Sequence, residues 1–134
     1  MLDSAQGSSL KTISLLDPQV IASAGTTVSP SGYWADMDQF EGYVLFTVSL
    51  GALTDTSVAV TLESSASSTG SSPTASSYTV PATGAVAAAG SPGQFTLLLP
   101  STAFANRYVG VSAVTVGAGN CPISVTATGG LRTP

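Results

Sequence analysis

Apolar residues alternate with polar ones along most of this chain, and the three-to-four spacing of an amphipathic helix is nearly absent. The clearest run is residues 42–50, where Val44, Phe46, Val48 and Leu50 share one face and Tyr43, Leu45, Thr47 and Ser49 the other. The second face starts apolar and ends polar. Residues 57–63 align Val58, Val60 and Leu62, and residues 94–99 align Phe95, Leu97 and Leu99. Residues 107–116 admit two inward sets: Val109, Val111 and Ala113, or Tyr108, Val114 and Val116. Residues 123–128 close the series with Ile123, Val125 and Ala127. The runs are rich in β-branched residues and bounded by Gly, Pro, Asn or Ser, as strands are. Weaker strands are expected at 10–16, around 25–28 and at 77–80. The pattern predicts an all-β protein of about eight strands, an antiparallel β-sandwich or barrel. A parallel sheet would need crossover helices, and none is visible. Residues 101–106 allow one helical turn at most.

Between the strands, residues 51–55 read as a turn. The serine-rich tract 64–77 reads as a long mobile loop, because the segments beside it are too short to be separate domains. Residues 83–93 are also small and loop-like. The expected organisation is an N-terminal arm over 1–9, a sandwich domain over 10–128 and a tail over 129–134.

At 134 residues the chain fits one domain able to bury its own core. Charge changes the picture. Only 7% of residues are charged, with Lys11, Arg107 and Arg132 against seven acids for a net charge of −4. Phosphate neutralisation needs clustered cations, so binding to nucleic acid is not expected. Low charge beside 43% hydrophobic residues suits either a surface held against another protein or an extracellular Ser/Thr-rich domain. The start, Met1-Leu2-Asp3-Ser4, lacks the basic and apolar regions of a signal peptide, and no apolar run reaches membrane-span length. Synthesis in a cytoplasm is therefore expected, with no membrane partner. A virus structural protein, made inside a cell and carried out in a particle, fits that combination. The single Cys121 cannot form an intrachain disulfide and reads as a small buried side chain.

The residues of catalysis are scarce. The chain has no histidine, one lysine and one cysteine, which removes the usual general base, a Cys–His pair and a zinc site. The stretch Gly117-Ala118-Gly119-Asn120 has no following lysine or helix to cradle phosphate. No enzyme activity, catalytic residue, metal or cofactor is expected. Asp36, Asp38 and Glu41 are either calcium ligands in a loop or solvated carboxylates before a strand, and Phe40 and Glu41 break the EF-hand pattern. Tyr33 and Trp34 offer a carbohydrate platform or an interface anchor; alternatively Trp34 caps one end of the core. Arg107 is placed either to bridge Asp36, Asp38 or Glu41, locking a loop against the sheet, or to contact a partner.

Four segments occur in order: Leu62-Glu63-Ser64-Ser65 before the serine-rich loop, Gly93-Gln94-Phe95-Thr96-Leu97-Leu98-Leu99-Pro100, Asn106-Arg107-Tyr108-Val109-Gly110-Val111, and Pro122-Ile123-Ser124-Val125-Thr126-Ala127. This order resembles the small cement, or decoration, proteins of tailed-bacteriophage capsids, those with a jelly-roll β-sandwich. The earlier part of the chain matches only in kind, as a polar arm leading into a first strand. The resemblance implies a jelly roll on the outer surface of a virion shell, bracing neighbouring subunits of the major capsid protein, often as a homotrimer. The candidate contact residues are Leu10, Ile13, Leu15, Leu16, Tyr33, Trp34, Tyr43, Leu45 and Arg107, with the 64–77 loop facing solvent. The alternative is a glycan- or host-surface-binding module of a virion, carried by Tyr33, Trp34 and calcium at 36–41.

Overall fold

The structure is a computed structural model that describes residues 10–22, 27–28, 32–51, 58–71, 73, 77–80, 93–116 and 120–132. The strands in chain order are β1 (Leu10–Ala22), β2 (Thr27–Val28), β3 (Ala35–Asp36), β4 (Phe40–Leu50), β5 (Val58–Ser65), β6 (Ser77–Val80), β7 (Gly93–Pro100), β8 (Tyr108–Val116) and β9 (Asn120–Leu131). One 3-10 turn, Met37–Gln39, precedes β4. No helix among the described residues is long and apolar enough to cross a membrane. The arm at 1–9 and most of the 51–55 turn and the 83–93 segment lie outside the described residues.

All pairings are antiparallel. One sheet has the order β1-β9-β4-β7 and the other β2-β8-β5-β6, with β3 also on β8. With the two-residue β3 set aside, the first strand pairs with the last, the second with the next to last, and so on inward to β5 and β6. The chain is thus one long hairpin, rolled so that the outer pairs alternate between two sheets. That topology is a jelly roll.

The inner faces meet in one core. Val44, Phe46 and Val48 of β4, Val60 and Leu62 of β5, and Val125 and Ala127 of β9 are wholly buried. Phe104, in the turn between β7 and β8, sets its ring against Phe46 at 5.8 Å and 69°, an edge-to-face contact. Residues 101–107 form turns and bends rather than a helical turn, with the Ala103 N–H donating to the Pro100 carbonyl at 2.9 Å.

Bulges explain where the alternation breaks. The β5–β8 register slips between Thr61 and Leu62, which pair with Ala113 and Val111, so Ser112 is the extra residue. It moves the buried set from Val109 and Val111 to Val114. In β1 a slip at Leu15 turns both Leu15 and Leu16 into the core, and a second accommodates Pro18. β9 runs to Leu131 and so takes in part of the expected tail. Gly129 belongs there because the Phe40 ring covers it: a Cβ would lie 2.7 Å from Phe40 Cδ1.

Candidate functional site

The outward face of the four-stranded sheet follows from register. Tyr43 pairs with Pro100, Leu45 with Leu98, Thr47 with Thr96 and Ser49 with Gln94. On the other side of β4, Leu45, Thr47 and Ser49 pair with Thr128, Thr126 and Ser124 of β9, and β1 extends these rows with Thr12 and Ser14. From the Leu45 row to the Ser49 row the outward residues of β4, β7 and β9 carry no charge, and the charged neighbour on β1 is Asp17, which accepts from Ser14 Oγ at 2.6 Å. Hydroxyls and amides hold much of the face together: Thr12 and Thr128 share a hydrogen bond at 2.9 Å, and Gln94 Nε2 donates to Ser49 Oγ at 3.3 Å. At one end the face turns apolar, with Tyr43 62%, Leu45 36% and Leu98 57% exposed beside Pro100. A bulge at Gly42 and Tyr43 sets that end, and Gly42 takes φ +82° there.

The expected contact residues divide. Tyr43 and Leu45 lie in this patch, and Leu10, also exposed, stands further along the same sheet, paired with Gly130. Ile13 is half-buried against the core. Leu15 and Leu16 are wholly buried, so they serve the core and no partner reaches them. Leu98 belongs to the patch although the sequence did not single it out. The alignment of Phe95, Leu97 and Leu99 puts it on the opposite face, but that it stands beside Leu45 follows only from the pairing of β4 with β7.

Tyr33 is exposed, but Trp34 is half-buried and not a free platform. The indole lies over Gly110 of β8, where a Cβ would come 2.6 Å from Trp34 Cδ2, and against Gly70, where a Cβ would overlap the indole at Cε2 and Nε1. Gly70 also takes φ +75°. The start of the serine-rich tract is correspondingly ordered. Ser64 and Ser65 are buried in β5 rather than part of a solvent-facing loop. Ser64 Oγ accepts from the Asn106 N–H at 3.1 Å, and Ser65 Oγ donates to the Ser71 carbonyl and accepts from the Ser67 N–H.

Arg107 locks the segment before β4. Its Nε and Nη2 donate to the two carboxylate oxygens of Asp36 at 2.8 and 2.7 Å, with Asp38 Oδ2 at 3.4 Å from Nε. β3 pairs with β8 beside it, and the Met37 N–H donates to the Arg107 carbonyl at 2.8 Å. Asp36 also caps the 3-10 turn by accepting from the Asp38 N–H at 3.0 Å. The acidic cluster is therefore engaged with an arginine and a turn, and no group of three carboxylate or thiol ligands converges among the described residues.

Hydrogen bonds from Arg107 hold the Asp36 carboxyl below its ordinary 3.8, against partial burial, with the Asp38 N–H adding to the lowering. A depressed folded-state pKa stabilises the fold above the unfolded value and loses that contribution as pH falls through the acid range. Asp36→Asn is expected to cost on the order of 1 kcal/mol at neutral pH, since the pair is partly exposed. In urea titrations the gap between the two proteins should close from about pH 4 downward. A gap independent of pH would assign the loss to the turn alone.

Cys121 is buried, and burial pushes its thiol up to about 11, so it stays protonated and inert at neutral pH.

Neither a protein-family model nor a curated protein sequence matches this chain. Solved structures do. A structure of infectious bursal disease virus, Gx strain, superposes with a TM-score of 0.58 at 11% identity, over 89% of this chain and 31% of that one. The D431N mutant VP2 protein of infectious bursal disease virus, in derived T=1 particles, superposes with a TM-score of 0.56 at 14% identity, over 90% of this chain and 31% of that one. The fold is shared. At such identities the likeness extends to the β-sandwich alone, and this chain spans about a third of the length of the chains it matches.

Proposed function

We propose that this protein is a structural component of a virion, without enzymatic activity. Its four-stranded face packs on the outer surface of a capsid shell and cements neighbouring subunits of the major capsid protein. The observation that carries the reading is the outer face of β4, β7 and β9, uncharged from the Ser49 row to the Leu45 row and ending in Tyr43, Leu45, Leu98 and Pro100. Such a face can be desolvated without stranding a charge, and its aromatic and aliphatic end supplies an anchor of the kind that dominates interface energetics. The fold shared with chains of infectious bursal disease virus and its derived T=1 particles agrees with it. Nucleic acid and membrane are not partners on this reading, and the copies gather as homotrimers on the shell. Synthesis is in the host cytoplasm. The earlier likeness to bacteriophage cement proteins belongs to the same reading.

Velocity sedimentation of a lysate from the native source tests it. The protein should be recovered in the fast particle peak at fixed stoichiometry to the major capsid protein. Recovery only near the top of the gradient, with intact particles below, would overturn the proposal.

A further inference from the structure

Two of the chain's three cationic residues, Arg107 and Arg132, line one cleft of about 290 Å³. For a protein of net charge −4 this is an uneven distribution. The two arginines differ in state. Arg107 is committed to Asp36 and Asp38, and Asp38 is the carboxylate on the cleft wall. Arg132 is exposed and has no ion pair among the described residues, while its backbone N–H is fixed to the Gln39 carbonyl at 2.8 Å. The rest of the wall is Ser101, Thr102, Ala105 and Asn106, over a floor that includes the buried Met37 and Phe104. The cleft therefore combines a guanidinium, Arg132, that has no ion pair among the described residues, several neutral hydrogen-bonding residues and an apolar base, with the charge of Asp38 turned toward Arg107.

We infer that this cleft binds a sugar carrying a carboxylate, with Arg132 as the group that recognises the carboxylate. A guanidinium meets a carboxylate with two parallel hydrogen bonds. Ser101, Thr102 and Asn106 offer donors and acceptors to ring hydroxyls, and the base that includes Met37 and Phe104 offers apolar surface to the C–H groups of the ring. The volume lies at the small end of the range for ligand pockets, roughly 300–1,000 Å³, which suits a single sugar ring. A carboxylate side chain from a neighbouring protein would satisfy Arg132 but leave the hydroxyl-lined remainder without a role. The inference goes beyond the shell reading and stands or falls separately from it.

The test is NMR titration of the full chain with N-acetylneuraminic acid and glucuronic acid, with glucose and glutamate as controls. The acidic sugars should shift the amide signals of Ser101, Thr102, Asn106 and Arg132 with millimolar affinity. Glucose and glutamate should each bind at least about 10-fold more weakly, as expected when either the charged hydrogen bonds or the hydroxyl contacts are missing. Arg132→Gln, checked for unchanged thermal unfolding, should weaken the acidic sugars by about 10- to 100-fold. The inference is overturned if glutamate binds as well as the sugars, if Arg132→Gln binds as the unaltered protein does, or if no acidic sugar shifts these signals.

Discussion

Phe46→Ala is expected to remove about 3–5 kcal/mol of stability, read as a lower midpoint in urea with the slope unchanged. Phe46 is wholly buried near the middle of β4, with Leu97 of β7 on one side and Ala127 of β9 on the other. From the turn before β8, Phe104 meets it edge-on, so the substitution loses both the buried ring and that aromatic contact. The hole it leaves cannot close easily. The two sheets are kept apart by the other core side chains of β4, β5 and β8, and a jelly roll has no loose element to slide inward. Since domains of this kind hold only about 5–15 kcal/mol in total, this one change takes a large share. Phe46→Leu, which keeps most of the volume, should cost much less. Equal losses from the two substitutions would mean that Phe46 does not fill the site as described.

The second large effect is on assembly. Leu45→Asp combined with Leu98→Asp should abolish recovery of the protein in the particle peak. The two residues are direct cross-strand partners on the exposed end of the sheet, so the double substitution puts two like charges at the centre of the apolar patch. Any partner covering the patch would have to desolvate both carboxylates, and losses at central interface residues reach about 2 kcal/mol or more each. Thermal unfolding separates this from misfolding: both side chains point away from the core, so the shift in midpoint should be far smaller than for Phe46→Ala. A folded double variant that still occupies particles fully would show that another surface makes the contact.

Much of the fold was legible because period-two alternation is a direct image of a half-buried strand. β4, β5, β7 and the middle of β9 show it, and β6 falls at 77–80 as expected. It failed where the ladder carries an extra residue. The two competing inward sets of β8 are each right on one side of Ser112, because the bulge there exchanges the faces. Leu15 and Leu16, placed at an interface from sequence, are both buried for the same reason. Gly129 looks like the end of a strand, and the reason it is not is an aromatic ring, Phe40, that lies about ninety residues earlier in the chain. β3 was hidden by its acidic surroundings, although a bridge from Arg107 to its residue Asp36 was among the pairings readable from the scarcity of charge. Of the candidate surface, Tyr43 and Leu45 were visible as the apolar start of a strand's outer face. Leu98 and the Arg132 cleft required knowledge of which distant segments lie side by side.

The nested pairing also constrains how the molecule comes into being. β9 lies between β1 and β4, so neither of those strands has its shared neighbour until the chain through residue 131 has left the ribosome. Until then β1 and one edge of β4 present open backbone, and the hydroxyl-rich face has no completed sheet to sit on. Most stabilising pairings join residues far apart in sequence, a topology associated with slow folding because long loops must close before the contacts that reward them form. The polypeptide therefore reaches its stable state in a late, concerted step, and a chain cut short before β9 is an aggregation-prone fragment rather than a smaller domain.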